Sequence, residues 1–221
     1  VHPTRANMWF VWGASPPVLR STNAGQHWDT VFASKQLGIS GVLVSAAATS
    51  RMYLEVRDTL FESADTGKTW QRFAHTGVLG YSIDLLAADG VTADRLYAYF
   101  QGRIAVSTDR GRTWSDRTMK NVMTVTGVLQ AQSNSNVLFA WGTNLHRSTD
   151  QGMSWTTIDT MHTARLSATL VGGQLYVGCY QSGIFRSSAV GGAWPRIDNG
   201  INRLEVRKLI RLTDEQWYLQ G

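Results

Sequence analysis

Two kinds of residue in this 221-residue chain have chemical potential: scattered carboxylates and a surplus of arginine. Hydrolysis of a glycosidic bond needs two carboxyl groups roughly 5 to 9.5 Å apart across a groove, one as acid and one as nucleophile or base. Glu55, Asp58, Asp84 and Glu205 are the carboxylates to weigh for that role, because they stand outside the repeated motif described below. Asp84 precedes the apolar run Leu85-Leu86, where Gly41 and Gly127 hold similar places in neighbouring repeats. The competing reading for Asp84 is an ion pair with Arg207 or Lys208, since structural pairs perturb carboxylates as readily as active sites do. Asp58 follows Arg57 in a tight connection and reads as an exposed turn residue. No second carboxylate is placed to work with Asp84, so no catalytic residue is assigned.

The basic side is different. Lys and Arg number 21 against 16 Asp and Glu, a net charge of +5, and nearly all of the excess is arginine. A guanidinium offers a planar fork to carboxylates and phosphates, so a partner with anionic groups is compatible with this surplus. Arg57, Arg103, Arg165, Arg203 and Arg207, with Asp84, form the candidate binding face, and the last three arginines are expected near the mouth of a central channel. No run of consecutive basic residues marks a nucleic-acid tract or a polybasic membrane anchor. One cysteine, Cys179, excludes an internal disulfide and a cysteine-rich zinc site. The five histidines lack metal-ligand spacing and no phosphate or dinucleotide loop is present, so neither metal nor cofactor is expected. No apolar stretch approaches eighteen residues, which excludes a membrane-spanning helix. The chain begins at Val1 without a signal-peptide pattern, as a mature or excised domain would.

The elements that must position these groups follow from a repeat. The pattern S-x-D-x-G-x-x-W occurs five times, with its fixed positions at Ser21, Asn23, Gly25 and Trp28; Ser63, Asp65, Gly67 and Trp70; Ser107, Asp109, Gly111 and Trp114; Ser148, Asp150, Gly152 and Trp155; and Ser187, Gly191 and Trp194. The steps between tryptophans are 42, 44, 41 and 39 residues, the length of one four-stranded propeller blade. Aspartate at a tight turn accepts backbone N–H bonds two residues on, serine joins that network, glycine supplies a positive φ, and tryptophan buries a ring where the next strand starts. Apolar pairs before each motif predict third strands, an aromatic column of Trp9, Tyr53, Tyr97, Phe139 and Tyr176 predicts second strands, and Val42-Leu43-Val44, Leu85-Leu86, Val128-Leu129 and Leu170-Val171 predict innermost strands. Near the C-terminus, Glu205 to Thr213 reads as an innermost strand and Gln216 to Leu219 as a second strand.

The expected fold is therefore an all-β propeller of four-stranded antiparallel blades in a single domain, 1–221. Its repeats span about 1–34, 35–77, 78–121, 122–162 and 163–200, with a partial or closing blade at 201–221. It is either a five-bladed ring or part of a six- or seven-bladed one.

The five motifs resemble the bacterial neuraminidase repeat, or Asp box, along essentially the whole chain. Three copies match every fixed position, while Asn23 replaces aspartate in the first and Ala189 in the last. The resemblance implies a propeller whose Asp-box turns lie on the outer part of the blades, away from the substrate face. It also implies a short list of roles: sialidases, xyloglucan-cleaving glucanases, sortilin-type receptors and photosystem II assembly factors. The sialidase Arg-Ile-Pro element is absent from this chain. The first reading is a non-catalytic scaffold binding a protein or glycan; the second is a glycoside hydrolase. Bacterial origin and an extracytoplasmic location are what the family resemblance implies.

Overall fold

Short apolar runs separated by glycine- and aspartate-bearing turns favour strands, and strands are what the chain forms. The computed structural model describes residues 2–13, 17–33, 38–56, 59–74, 76–77, 84–100, 103–117, 119, 125–131, 134–159, 165–179, 182–188, 192–197, 208–211 and 217–220. The side chains at 40, 73–74, 76–77, 84–86, 100, 165–166, 208–211 and 217–220 lie outside that description.

The chain divides into two compact units, 1–118 and 119–221. In the first, β1 (Trp9–Val11), β2 (Val18–Ser21) and β3 (Asp29–Phe32) form an antiparallel sheet, and β4 (Ile39–Val44), β5 (Met52–Val56), β6 (Thr59–Ser63) and β7 (Gln71–Ala74) form another. A short β8 (Thr76–Gly77) then adds in parallel to the outer edge of a third sheet, made of β9 (Asp84–Ala88), β10 (Leu96–Phe100), β11 (Arg103–Ser107) and β12 (Thr113–Asp116). The second unit holds a sheet of β13 (Val125–Gln130), β14 (Leu138–Gly142), β15 (Leu145–Ser148) and β16 (Thr156–Asp159), and one of β17 (Arg165–Val171), β18 (Gln174–Cys179) and β19 (Gly183–Ser188). It ends on the hairpin β20 (Lys208–Arg211) and β21 (Trp217–Gln220). Apart from the parallel edge strand β8, each sheet is a meander, and innermost strands lie beside one another, β4 by β9, β13 by β17 and β17 by β20. That is the arrangement of propeller blades. Among the described residues no helix is long and apolar enough to cross a membrane.

The repeated turn is more elaborate than its sequence implied. Aspartate does not bond two residues on. Its Oδ1 accepts the backbone N–H four residues later, at Thr69, Thr113 and Ser154 in the second, third and fourth copies, each at 2.8 Å. The serine hydroxyl supplies the shorter link, donating to the Asp65, Asp109 or Asp150 carboxylate while accepting the N–H of that aspartate and of the glycine. Asn23 reproduces the pattern, accepting from Ser21 and from His27 N–H. The residue before each of these four glycines, Ala24, Thr66, Arg110 and Gln151, also has a positive φ, near 60°, a conformation that costs a side-chain-bearing residue about 1–2 kcal/mol. Its N–H bonds the carbonyl of Asn7, Ser50, Asp94 or Asn136, tying each turn to the one that precedes the second strand of the same sheet.

A second hydroxyl completes the aspartate. Thr69, Thr113 and Ser154 donate to Oδ2 of Asp65, Asp109 and Asp150 at 2.6 Å. The Thr69 hydroxyl and amide hold the Asp65 carboxyl at about 2 against its ordinary 3.8, and Ser154 does the same for Asp150. For Asp109, burial opposes the shift, yet bonds from Thr113 and Ser107 still leave it lowered. Depressed carboxyls contribute stability that is present above the unfolded value and lost as pH falls through the folded one. An Asp65→Asn, Asp150→Asn variant is therefore expected to show a shallower fall in melting temperature than wild type between pH 4 and about 2. Parallel curves across that window would refute this role for the turns.

The turns also join sheet to sheet. The Trp70 indole N–H donates to the Val31 carbonyl at 2.7 Å, and its ring meets Phe32 edge-on with centroids 5.6 Å apart. Arg20 donates to the Thr66 carbonyl at 2.9 Å. Register also corrects the aromatic column. Opposite the residue preceding the turn serine stand Phe10, Tyr53, Tyr97, Phe139 and Tyr176, so Phe10, and not Trp9, is the structural counterpart.

Candidate functional site

The strand registers place Asp84 on β9 opposite Tyr99, equivalent to Gly41 opposite Glu55 and Gly127 opposite Trp141. A bulge of one extra residue lies just before this point in β4, β13 and β17 and two residues after it in β9, which re-aims the innermost strands. Arg165 opens β17 opposite Cys179. The side chains of Asp84 and Arg165 lie outside the described residues, as do Arg57, Asp58, Arg203, Glu205 and Arg207 altogether. Arg103 is exposed at the start of β11 and is ion-paired with Asp116. Glu55 is wholly buried on β5.

The densest charge cluster among the described residues lies elsewhere, at the turn-bearing end of the second and third sheets. Glu62, on β6, is 6% exposed and faces three guanidinium groups: Arg51 at 3.2 Å, Arg110 at 3.6 Å and Arg112 at 3.6 Å. Asp94 closes the network, with Arg51 at 2.6 Å and Arg110 at 3.6 Å. Arg110 and Arg112 belong to the third turn motif and Glu62 to the strand before the second, so the cluster bridges two sheets. Burial, reinforced by the Glu62 charge, pushes the Tyr53 hydroxyl up to about 12. A second buried carboxylate, Asp89, accepts from the Tyr97 hydroxyl at 2.9 Å and from the amides of Val91 and Thr92, with Arg95 at 3.5 Å. Burial and that carboxylate raise the Tyr97 hydroxyl as well.

Sequence reasoning missed this cluster, yet it left a signal. The residue before the turn serine is arginine at 20, 147 and 186, valine at 106 and glutamate at 62, one repeat before the one turn that carries two arginines. Chemically the network sets three guanidinium groups against two carboxylates, an arrangement suited to holding sheets in register. Among the described residues no three His, Cys, Asp or Glu side chains group as a metal site.

No known family's sequence profile matches the chain, and no curated protein matches it in sequence. Its fold is similar to that of solved propellers. An ancestral GH74 enzyme superposes with a TM-score of 0.72 at 18% identity over 92% of this chain and 31% of the enzyme. YCF48 from Cyanidioschyzon merolae gives 0.75 at 13% identity over 96% of this chain and 76% of YCF48. A chain of a nidogen/laminin complex gives 0.63 at 13% identity over 83% and 72%. The chain thus spans less than a third of the length of the GH74 enzyme it matches. Repeat, sheet topology and these neighbours together establish an all-β repeat protein with the architecture of a partial β-propeller.

Proposed function

We propose that the protein is a non-catalytic binding scaffold that recognises a protein or glycan through the end of its sheets opposite the turn motifs. The observation that carries this reading is the use made of the described carboxylates whose partners are resolved. Asp65, Asp109 and Asp150 staple turns, Glu62 and Asp94 hold arginines between sheets, Asp89 anchors Tyr97 and Arg95, and Asp116 pairs with Arg103. Their chemistry serves the fold. The arginine surplus favours a partner bearing anionic groups. One fold neighbour comes from a complex between two proteins, which supports the same class of role. The turn geometry, shared by four copies, supports membership of the Asp-box family, and with it an extracytoplasmic, bacterial setting.

Charge reversal of Arg165 together with Arg203 tests the reading. Immobilised wild-type protein is expected to retain a native partner that the double variant releases, with unchanged circular dichroism. Equal retention by both proteins would remove these arginines from the binding face. Release of sugar from xyloglucan, abolished by Asp84→Asn, would instead establish the glycoside hydrolase reading.

A further inference from the structure

The turn that precedes β1, β5 and β10 is itself a repeated device. In the first sheet the His2 amide donates to the Met8 carbonyl and the Met8 amide to that of Arg5; Ser45, Arg51 and Ala48 repeat this in the second sheet, and Asp89, Arg95 and Thr92 in the third. The side chain at the first position staples the turn by accepting an amide two or three residues on. Ser45 Oγ accepts the Ala48 N–H at 3.1 Å, Asp89 Oδ1 accepts those of Val91 and Thr92 at 2.8 and 2.9 Å, and His2 Nδ1 accepts that of Thr4 at 3.2 Å. The position calls for an acceptor, and in the first sheet that acceptor is a base.

A side chain also clasps each of the first two of these turns to the next sheet. His2 Nε2 donates to the Thr49 carbonyl at 2.6 Å, and Arg51 donates to the Ala93 carbonyl at 3.2 Å. Thr49 and Ala93 hold the same place, four residues past Ser45 and Asp89. His2 therefore staples its own turn with one ring nitrogen and joins the second sheet with the other, and it does so at 2% exposure. Only the neutral ring with its hydrogen on Nε2 can make both bonds, because Nδ1 must keep its lone pair for the Thr4 amide.

We infer that His2 is a proton-responsive clasp: the neutral imidazole holds the turn ends of the first and second sheets together, and protonation releases them. A proton on Nδ1 meets the Thr4 N–H head-on, and that buried bond is lost. Thr4 Oγ1 lies 3.5 Å from the same nitrogen, and turning the proton towards it still gives up the amide bond. The charged groups of the surrounding turns are Arg5, Arg51, His27, Asp65 and Lys68. Asp65 is taken up by Ser63 and Thr69, His27 stands by Asp29, and Arg51 holds Glu62 and Asp94. Among the described residues no carboxylate pairs with His2, so its buried positive charge has no counter-ion there. The Asn7 carbonyl of the same turn accepts from Ala24, so release also loosens the first motif turn. A serine in this place takes no charge, so the second-sheet turn lacks the response.

Amide hydrogen exchange of the full-length protein tests the inference across about pH 8 to about pH 5, the range in which imidazole changes charge. After correction for intrinsic exchange, the Thr4 and Met8 amides are expected to lose about tenfold in protection at the acid end, the worth of one buried hydrogen bond. The Arg95 amide, in the equivalent turn of the third sheet, is the internal reference and should stay level. His2→Ser, which installs the second-sheet residue, should abolish the response. Protection at Thr4 and Met8 that stays level in the wild type, or a response that His2→Ser retains, would overturn the proposal. Ring-nitrogen NMR of the wild type gives a reading independent of the variant's folding: the Nε2–H tautomer is expected at about pH 8, and an Nδ1–H tautomer or a charged ring there would equally overturn it.

Discussion

Gly111→Ala is expected to cost about 3–5 kcal/mol, the sum of a strained backbone and an overfilled core. Gly111 has a φ of +86°, and a Cβ there would overlap Leu60 Cδ2 while pressing to 3.3 Å from Leu96 Cδ1. Leu60 has little room to yield. It is fully buried in the core formed by Tyr53, Ala88, Leu96, Ala98, Ala105 and Trp114, where the second and third sheets meet. Gly172→Ala is the matched control, because Gly172 also has a positive φ but a Cβ there meets open space. It should lose only about 1–2 kcal/mol. Urea midpoints measured for both variants decide the matter: equal losses would mean that the turn glycine serves backbone conformation alone and that the seam between sheets is not tightly packed.

Glu62→Gln is expected to cost about 2–4 kcal/mol, since it preserves shape but removes the buried negative charge that three guanidinium groups surround. Removing one partner from a buried network leaves the others facing like charge in a medium that screens poorly. Arg103→Gln, which disrupts the partly exposed pair with Asp116, should cost less than about 1 kcal/mol. The contrast should persist at high salt, because screening reaches exposed pairs far more than buried ones. Denaturation curves at low and high ionic strength that gave the two variants equal losses would reduce the Glu62 cluster to ordinary surface pairing.

Both predictions concern the seam between sheets, the level at which sequence reading ran short. The motif spacing announced the blades, and the third- and innermost-strand pairs fall on β2, β6, β11, β15 and β19, and on β4, β9, β13 and β17. The second-strand column slipped by one residue in the first repeat because Trp9 and Phe10 are both aromatic and adjacent. Side-chain period in a strand is two, so that slip moves the assigned residue to the other face of the sheet. Only the pairing of Trp9 with Ser21 resolves it.

The carboxylates show the same division. Asp65, Asp109 and Asp150 could be given turn roles from their spacing, because an Asx turn is made by residues within a few positions of one another. Glu62 could not. Its partners lie 11, 48 and 50 residues away, brought together by the packing of successive sheets.

The five-fold motif by itself determined that this chain is a series of antiparallel meanders and that one kind of turn staples them, because strand period, turn chemistry and repeat length are all local properties. Tertiary structure alone decided that the same turns bind sheet to sheet and that Glu62 is the centre of an arginine cluster. Those facts depend on which faces meet, and the meeting of faces is set by long-range packing that residue order encodes only through the finished fold.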